Sequence, residues 1–352
     1  QYFNTPLPPS SLLSKEVLLE QVHVPGYIQR LQHLSTTTNP QTTTTQERWD
    51  QEAQQYKSIY LRQHSYQESL KAATSLCGLV EHVVKKIKCV EENGDSSSSS
   101  SSETLLDNGF AIIRPPGHHA EPGFAGGYCI LNNIALAATY IQQQKSFGIH
   151  KILILDWDIH HGNGTQQMFY DNPHVLVISI HRWHGGHYYP FQKSGGPSHV
   201  GTGQGKGRNV NVAWNMKGLG DAEYHYVFQH LVLPMANEFQ PDLILVSAGF
   251  DAAHGDDIGE CHVSPSAFGQ FTRACMSIQS KVVCALEGGY KRSVLSCCVE
   301  QVVKALLDKD SVEKHTQDYR ENFDGRTIHP SAMKSIRATM EAHQPYWKCL
   351  QE

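Results

Sequence analysis

The feature that most constrains the fold of this chain is a succession of short, nearly continuous apolar segments that alternate with segments of helical periodicity. Five segments read as strands, at residues 109–115, 151–158, 174–181, 242–251 and 281–290. Five read as helices, at residues 66–88, 132–144, 221–239, 264–280 and 293–308. Apolar strands separated by helices are typical of a parallel sheet covered on both faces. With no repeat and no second domain signature, the sequence predicts a single α/β domain over residues 1–352.

Composition excludes several classes of protein. The chain has 352 residues, 39% of them hydrophobic, and a formal net charge of −5, which argues against direct nucleic-acid binding. No run approaches the roughly 20 apolar residues that a membrane span requires. Nine cysteines occur without a C-x-x-C pair, so we expect free thiols in a reducing compartment, either cytoplasm or nucleus.

Two polar tracts interrupt the pattern. One is Thr-rich, at about 35–48, and the other is Ser-rich, at 92–103. Neither contains enough apolar surface to offset the entropy of ordering it. We expect both to be insertions in surface loops.

Polar side chains cluster where the predicted strands end. In an open parallel sheet the ligand site lies at the carboxyl ends of the strands. We therefore expect the polar side chains that follow the predicted strands to lie together at one edge of the sheet. The residues at these exits are Arg114, His118, His119, Asp156, Asp158, His160, Ser179, His181, Asp251, Glu287 and Tyr290.

Three of these residues form a candidate metal site. Asp158 and His160 are two positions apart on extended backbone, so their side chains project to the same side. Asp251 ends another apolar strand. Two carboxylates and one imidazole, with a fourth position left for water or substrate, suit a catalytic zinc ion better than a closed structural one.

Two further segments supply candidate catalytic groups. The segment RPPGHHAEPGFAGGY (114–128) carries adjacent histidines, whose side chains diverge on extended backbone. We interpret one as a general base and the other as its electrostatic partner, rather than as two ligands of one metal. In LEGGY (286–290), the Tyr290 hydroxyl would donate to an oxyanion.

Taken together, these motifs resemble the zinc-dependent histone deacetylase family, and within it the class II branch. The matching text is RPPGHHA, GGYCILNN, DWDIHHGNGTQ, SIHR, SAGFDAAHGD and LEGGY, in the family's order, over roughly 109–308. The resemblance implies the arginase/deacetylase fold, with a parallel sheet of about eight strands flanked by helices. It also implies an acetylated protein or peptide as substrate, a histone tail or another protein, and a corepressor-type complex as a partner.

The resemblance assigns roles residue by residue. Asp158, His160 and Asp251 match the zinc ligands, and His119 matches the general base and acid. Asp156 would orient His118, and Asn163 would orient His119; an asparagine there is typical of class II. Tyr290 matches the tyrosine that stabilises the oxyanion. A structural potassium ion is also implied, bound by the side chains of Asp156 and Ser179 and the backbone carbonyls of Asp158, His160 and Ile180.

The implied reaction is amide hydrolysis of acyl-lysine. Zinc would polarise the acyl carbonyl and acidify a water molecule, whose proton His119 would accept. His161 has no role in this scheme, and we interpret it as structural.

The substrate tunnel departs from the family pattern. Gly127 would supply a backbone carbonyl to the tunnel, but Tyr128 and Tyr189 stand where the family usually has phenylalanines. We expect altered acyl or inhibitor preference with activity retained. Ile258 stands at a gate position, where polyamine-selective relatives have an acid. The segment 181–190 is rich in histidine and aromatic residues and is interpreted either as a rim around the tunnel or as a packed surface loop.

Three alternatives remain open at this point. A ureohydrolase of the same fold would hold two manganese ions, with further carboxylate ligands around them. A small-molecule amidase would act on acetylpolyamines. A reader or scaffold without catalysis would bind acyl-lysine and leave it intact.

Overall fold

A parallel β-sheet of six strands forms the centre of the chain in the computed structural model, which describes residues 16–36, 45–92, 106–279, 281–308 and 327–351. The order across the sheet is β1-β6-β5-β2-β3-β4, and each neighbouring pair is parallel. The strands are β1 Gly109–Ala111, β2 Ile152–Asp156, β3 Val175–Arg182, β4 Asn209–Trp214, β5 Leu243–Ala248 and β6 Val282–Leu286. The predicted α/β architecture is confirmed.

The helices cover both faces of this sheet. They are α1 Glu16–Val22, α2 Pro25–Thr36, α3 Thr45–Ala53, α4 Ser65–Glu92, α5 Asn133–Gln143, α6 Asn163–Phe169, α7 Asp221–Val227, α8 Leu233–Phe239, α9 Pro265–Ile278, α10 Arg292–Leu307 and α11 Pro330–His343. A π-helical turn, Phe228–Val232, joins α7 to α8. Short 3₁₀ helices lie at Lys145–Phe147, His184–Gly186, Lys193–Gly195, Gly203–Gly205 and Lys348–Leu350.

The helix predicted over 221–239 thus consists of three consecutive segments, which are α7, the π-helical turn and α8. Leu233 N–H donates to the carbonyl of Phe228, five residues back, at the end of the π-helical turn. Pro234 follows and has no N–H to donate to residue 230. The wider turn therefore accommodates the proline while the backbone continues in one direction.

Side chains along each strand point alternately to the two faces of the sheet, so the core has two layers. In β2, Leu153 and Leu155 join one hydrophobic cluster, whereas Ile152 and Ile154 join the other. Because successive strand residues point to opposite faces, both faces of this central strand are buried. Helices α7 to α11 contribute to the first layer and helices α1 to α6 to the second.

Strand β4 was missed because its sequence, NVNVAW, alternates valine with asparagine rather than running apolar. Both asparagines are buried, and each donates its amide to Gln166 Oε1, at 2.8 Å from Asn209 and 2.9 Å from Asn211. A buried polar side chain is tolerated when it is hydrogen-bonded. Composition alone does not reveal such a partner.

Among the described residues the sheet has six strands, fewer than the eight or so that the resemblance implies. At the β4 edge, the Thr339 hydroxyl of α11 donates to the carbonyl of Asn211 at 2.8 Å. Helix α11 therefore covers a strand edge on which a further strand would pair. At the opposite edge β1 is only three residues long, and Pro115 and Pro116 follow shortly after it.

Both ends of the Thr-rich segment, which was predicted as a surface-loop insertion at about 35–48, are helical. Residues 45–53 form α3, in which Trp49 is buried against the second layer of the core. One large buried side chain supplies the apolar area that the polar composition lacks. Residues 37–44, and the Ser-rich tract apart from Glu92 at the end of α4, lie outside the described residues.

Two further sequence expectations concern the described residues. Eight cysteines are free, and they are Cys77, Cys129, Cys261, Cys275, Cys284, Cys297, Cys298 and Cys349. No helix in these ranges combines the length and the apolar character needed to cross a membrane.

Candidate active site

The carboxyl ends of two neighbouring strands bring the candidate metal ligands together. Asp158 and His160 follow β2, and Asp251 follows β5, which pairs with β2 in parallel register. The backbone N–H of Ile159 donates to Asp251 Oδ1 at 2.8 Å, which ties the two strand exits to each other. The predicted convergence of these exits is therefore present.

The three side chains form a compact buried cluster. Their potential ligand atoms lie within 4.8 Å of one another, and all three residues are buried. His160 Nδ1 lies 3.0 Å from Asp158 Oδ1 and 3.0 Å from Asp251 Oδ2. Asp251 Oδ2 nevertheless accepts no hydrogen bond from any described residue. An unsatisfied carboxylate oxygen in such a cluster fits a metal ion.

The pKa values of the cluster are shifted because two carboxyl groups lie close together in a buried space. Burial, together with the Asp158 carboxylate, raises the pKa of Asp251 to about 7. Burial would also raise the pKa of Asp158, but His118 and His160 outweigh it and lower that pKa. For His160 burial is likewise outweighed, and the two carboxylates raise its pKa to about 9. A divalent cation would neutralise this concentration of negative charge.

Gly288, just beyond β6, leaves the space beside these carboxylates open. A Cβ atom at this position would lie 2.5 Å from Asp158 Oδ2 and 2.5 Å from Asp251 Oδ2. The backbone N–H of Gly288 donates to Asp158 Oδ2 at 2.8 Å. The two carboxylates and the imidazole match the donor set of a catalytic zinc site, and the space beside Gly288 leaves room for the ion.

Replacing Gly288 with alanine is expected to weaken zinc binding at least about 100-fold, because the added methyl group displaces two ligand carboxylates at once. Competition with a fluorescent chelator measures the affinity. Gly26→Ala is the matched control, since a Cβ there would meet nothing within 4 Å. An unchanged zinc affinity in Gly288→Ala would show that the ion lies elsewhere.

The adjacent histidines lie in two different environments. His118 Nδ1 lies 2.9 Å from Asp156 Oδ2, and His119 Nδ1 lies 2.7 Å from Asn163 Oδ1. Burial would lower the pKa of His118, but the Asp156 and Asp158 carboxylates outweigh it and raise that pKa well above its usual value. Burial lowers the pKa of His119 well below its usual value, and His118 and His160 add to this effect. One ring thus favours the charged form and the other the neutral form.

Glu287, noted only as a strand exit, supports the loop that carries both histidines. Its Oε2 accepts from the backbone N–H of Gly117 at 2.7 Å and of His118 at 3.1 Å. Burial raises the pKa of this carboxyl to about 7. Only contact across the sheet edge, between residues 170 positions apart, reveals this function.

The predicted tunnel residues lie around His119 and His160. The Tyr189 ring is 5.0 Å from the His119 ring and 5.8 Å from the His160 ring, in edge-on contacts. Gly127 has φ of 50°, and a Cβ there would collide with the His119 ring, so glycine is required. Tyr128 is 43% exposed, and its ring centroid lies 6.4 Å from that of Tyr290.

The N-terminal part of the chain also contributes to this region. The carbonyl of Lys57 accepts from Gly127 N–H at 3.1 Å, and that of Ser58 accepts from Tyr128 N–H at 2.9 Å. Sequence reasoning assigned no residue here to the site. The only signal in the sequence is a weaker resemblance to the same family in YKSIYLRQHSYQESLKAA, at 56–73.

Tyr290 and Ile258, the predicted gate residue, are joined by a buried carboxylate. Asp256 Oδ2 accepts from Tyr290 N–H at 2.7 Å, and its Oδ1 accepts from Ile258 N–H at 2.9 Å. The Ile258 carbonyl accepts from the Tyr188 hydroxyl at 3.0 Å, and Tyr188 stacks on His160. Burial, then the Asp251 and Asp158 carboxylates, raises the pKa of Tyr290, so its hydroxyl remains a proton donor at neutral pH. Sequence reasoning missed both Asp256 and Tyr188.

The predicted potassium ligands lie next to the candidate zinc site. Asp156 and Ser179 are register partners on β2 and β3, and both side chains are buried. The Ser179 hydroxyl is 2.8 Å from His181 Nδ1, and Ile180 follows within β3. His161 contacts Gln166 and the His181 ring, in keeping with a structural role.

The remaining rim segment is only partly exposed. His181 and Arg182 belong to β3 and are buried, so the interpretation as a rim is restricted to the residues after them.

Comparisons with known proteins give one consistent result. Residues 8–306 match the histone deacetylase domain model. Histone deacetylase HDA1 of Saccharomyces cerevisiae is 41% identical over 250 residues, which cover 70% of this chain and 34% of that protein. Human histone deacetylase 7 is 45% identical over 255 residues, which cover 70% of this chain and 26% of that protein. The chain thus spans about a third of the length of such relatives. The crystal structure of the HDA15 HD domain superimposes with a TM-score of 0.76 at 32% identity, covering 96% of this chain and 81% of that one.

Proposed function

Because this chain belongs to the histone deacetylase family, we propose that it is a zinc-dependent protein lysine deacetylase of class II type. It hydrolyses the amide of N-ε-acyl-lysine to carboxylate and free lysine. The observation that carries the proposal is the buried cluster of Asp158, His160 and Asp251 next to the His119 ring, whose centroid is 5.8 Å from that of His160.

Zinc is the metal that this donor set favours, with Asp158, His160 and Asp251 as its three protein ligands. What the ion supplies when bound is Lewis-acid polarisation of the acyl carbonyl and acidification of a water molecule. The chain's own residues supply the proton transfers and the alignment of the substrate.

His119 is the group that moves a proton. Its Nδ1 donates to Asn163 Oδ1, so Nε2 has the lone pair that accepts a proton from the attacking water. The same imidazole then returns this proton to the lysine nitrogen as the C–N bond breaks. His118 stays charged beside Asp156 and contributes electrostatic stabilisation without proton transfer.

Tyr290 stabilises the oxygen that becomes negative during the attack. Its hydroxyl stays protonated at neutral pH and donates a hydrogen bond to that oxygen. Asp256 fixes the backbone of Tyr290, which reduces the reorganisation needed when the charge develops.

Gly127, Tyr128 and Tyr189 form the walls of the acyl-lysine tunnel. Aromatic walls suit a thin aliphatic chain, and the two tyrosine hydroxyls add polarity that alters acyl or inhibitor preference. The apolar gate, Ile258, is 47% exposed and offers no charge to a polyamine, so a protein substrate fits better than an acetylpolyamine.

A single catalytic metal also distinguishes this proposal from a ureohydrolase with two manganese ions. Asp158, His160 and Asp251 are the one group of three or more His, Cys, Asp or Glu side chains with metal-binding spacing among the described residues. The structural potassium site is proposed at Asp156 and Ser179, with the carbonyls of Asp158, His160 and Ile180. Its support is the pair of buried oxygen-bearing side chains on neighbouring strands.

The cellular setting is proposed from the same family membership. The substrates are acetylated proteins, histone or non-histone, and the enzyme works in the nucleus or the cytoplasm as part of a corepressor-type complex. The free thiols of the described cysteines are in keeping with a reducing compartment.

Turnover of acyl-lysine peptides by the purified, zinc-loaded chain tests the proposal. We expect deacetylation of acetyl-lysine peptides with one bound zinc per chain, and turnover of acetylspermidine at least about 100-fold slower. Two bound manganese ions with urea release, or binding of acetyl-lysine without hydrolysis, would each overturn it.

A further inference from the structure

The partner of His119, Asn163, is itself held by a carboxylate that the reaction scheme leaves unused. Asn163 Nδ2 donates to Glu121 Oε1 at 2.6 Å, while Asn163 Oδ1 faces His119 Nδ1 at 2.7 Å. Glu121 lies two residues beyond His119, and Asn163 is the first residue of α6. The three side chains therefore form a continuous chain of hydrogen bonds that ends at His119.

The chemistry of these groups fixes the direction of every bond in the chain. A carboxylate only accepts hydrogen bonds, whereas a side-chain amide has one donating end and one accepting end. Glu121 therefore requires the Nδ2 end of Asn163, which leaves Oδ1 for the imidazole. Because Oδ1 only accepts, His119 must hold its proton on Nδ1 and its lone pair on Nε2.

The opposite amide orientation is what Glu121 excludes. It would bring the amide oxygen of Asn163 against a carboxylate oxygen at 2.6 Å. It would also present an NH₂ group to His119, which favours the tautomer with the proton on Nε2. In that tautomer the imidazole has no lone pair on the nitrogen that faces away from Asn163.

Glu121 is held in place by hydrogen-bond donors whose own partners fix which end of each group faces it. Gln192 Nε2 donates to the same Glu121 oxygen at 2.8 Å, and the Ser194 hydroxyl donates to Gln192 Oε1 at 3.1 Å. At the backbone, His23 Nδ1 lies 3.1 Å from the Glu121 carbonyl. His23 Nε2 accepts from Asn132 N–H, so its Nδ1 donates to that carbonyl. The carboxylate is thus positioned before substrate binds.

We propose that Glu121 is a positioning residue that sets the tautomer of His119 through the amide of Asn163. The inference rests on the proposed function, since it assigns a purpose to the lone pair on His119 Nε2. An asparagine in this position needs an external group to choose its orientation, whereas an aspartate would not. The tautomer of His119, and the activity that requires it, should therefore no longer depend on Glu121 when residue 163 is an aspartate, which accepts hydrogen bonds through both of its oxygens.

A double-variant cycle tests this dependence in the zinc-loaded protein. Glu121→Leu is expected to lower kcat about 10- to 100-fold with KM within about twofold of the parent, the range for groups that orient catalytic residues. Asn163→Asp alone should also lower kcat, because it places two carboxylates in contact. The double variant Glu121→Leu/Asn163→Asp should exceed both single variants. Equal or lower activity than Glu121→Leu would overturn the inference.

A second readout does not depend on turnover. The ¹⁵N chemical shifts of the His119 ring, assigned by their loss in His119→Gln, distinguish the two tautomers. We expect the Nδ1–H form in the parent protein and in the double variant, and a mixture in Glu121→Leu. An Nε2–H form in the parent would refute the role of Glu121.

The matched control is Glu341→Leu, an exposed glutamate on α11, which should leave both kcat and the shifts unchanged. A parent with the Nδ1–H form that hydrolyses no acyl-lysine would refute the deacetylase function while leaving the tautomer assignment intact. The two failures are therefore distinguishable.

Discussion

Asp251→Asn is expected to eliminate zinc binding at equimolar metal and to lower kcat/KM by at least about 1000-fold, since the metal supplies several kcal/mol of transition-state stabilisation. Asp251 Oδ2 is buried and lies 3.0 Å from His160 Nδ1, so the substitution removes a ligand oxygen together with the ion pair between these two side chains. Asparagine keeps the Oδ1 acceptor for Ile159 N–H. Metal analysis and peptide turnover measure the two effects.

Thermal unfolding separates loss of the ligand from loss of the fold. In the parent protein, zinc at about 1000 times its Kd should stabilise the folded state by about 4 kcal/mol. In Asp251→Asn the metal-free protein should unfold near the parent's metal-free temperature, because a carboxyl with a pKa raised to about 7 gains little from being buried there. Zinc should then add almost nothing. Asp171→Asn, at an exposed aspartate, is the control, and full zinc stabilisation of Asp251→Asn would contradict the assigned ligand set.

Tyr290→Phe is expected to lower kcat about 100- to 1000-fold, the usual cost of removing one preorganised donor to an oxyanion. Phenylalanine keeps the ring near Tyr128 and the backbone bond to Asp256, so only the hydroxyl is lost. Zinc content and KM should stay near the parent values. Steady-state kinetics on an acetyl-lysine peptide, with metal quantified in the same samples, measures all three.

Tyr346→Phe serves as the matched control, since its half-buried ring lies near the C-terminus and contacts Lys206. Its kcat should equal that of the parent. If Tyr290→Phe also turned over peptide at the parent rate, the tyrosine would have no part in the chemistry. If the parent itself bound acyl-lysine without turnover, a reader would be the better interpretation.

The sequence was sufficient for five of the six strands of the sheet and for the candidate metal cluster, for one physical reason. Parallel strands end at a common edge, so polar residues just beyond β2 and β5 converge whatever path the intervening chain takes. Asp158 and Asp251 could therefore be paired before any coordinates were known.

The supporting residues were not predictable in the same way. Glu121 accepts from Asn163 and Gln192, which are 42 and 71 positions away, and Asp256 accepts from Tyr290, 34 positions away. These contacts form through loops whose paths no periodicity encodes. Strand β4 was missed because buried asparagines interrupt its apolar pattern, and α3 because a single tryptophan anchors a polar segment. In each case the deciding fact is a tertiary partner, which local composition does not contain.

The neighbourhood of β2 and β5 in the sheet has a consequence for biosynthesis. The candidate metal ligands that follow these strands are about 90 positions apart in the chain, so a ribosome completes the first pair long before it makes the third. A nascent chain that ends before residue 251 would offer only an incomplete, weakly chelating pair to cellular zinc. Stable metal capture should therefore wait until residue 251 has been synthesised and β5 can pair with β2.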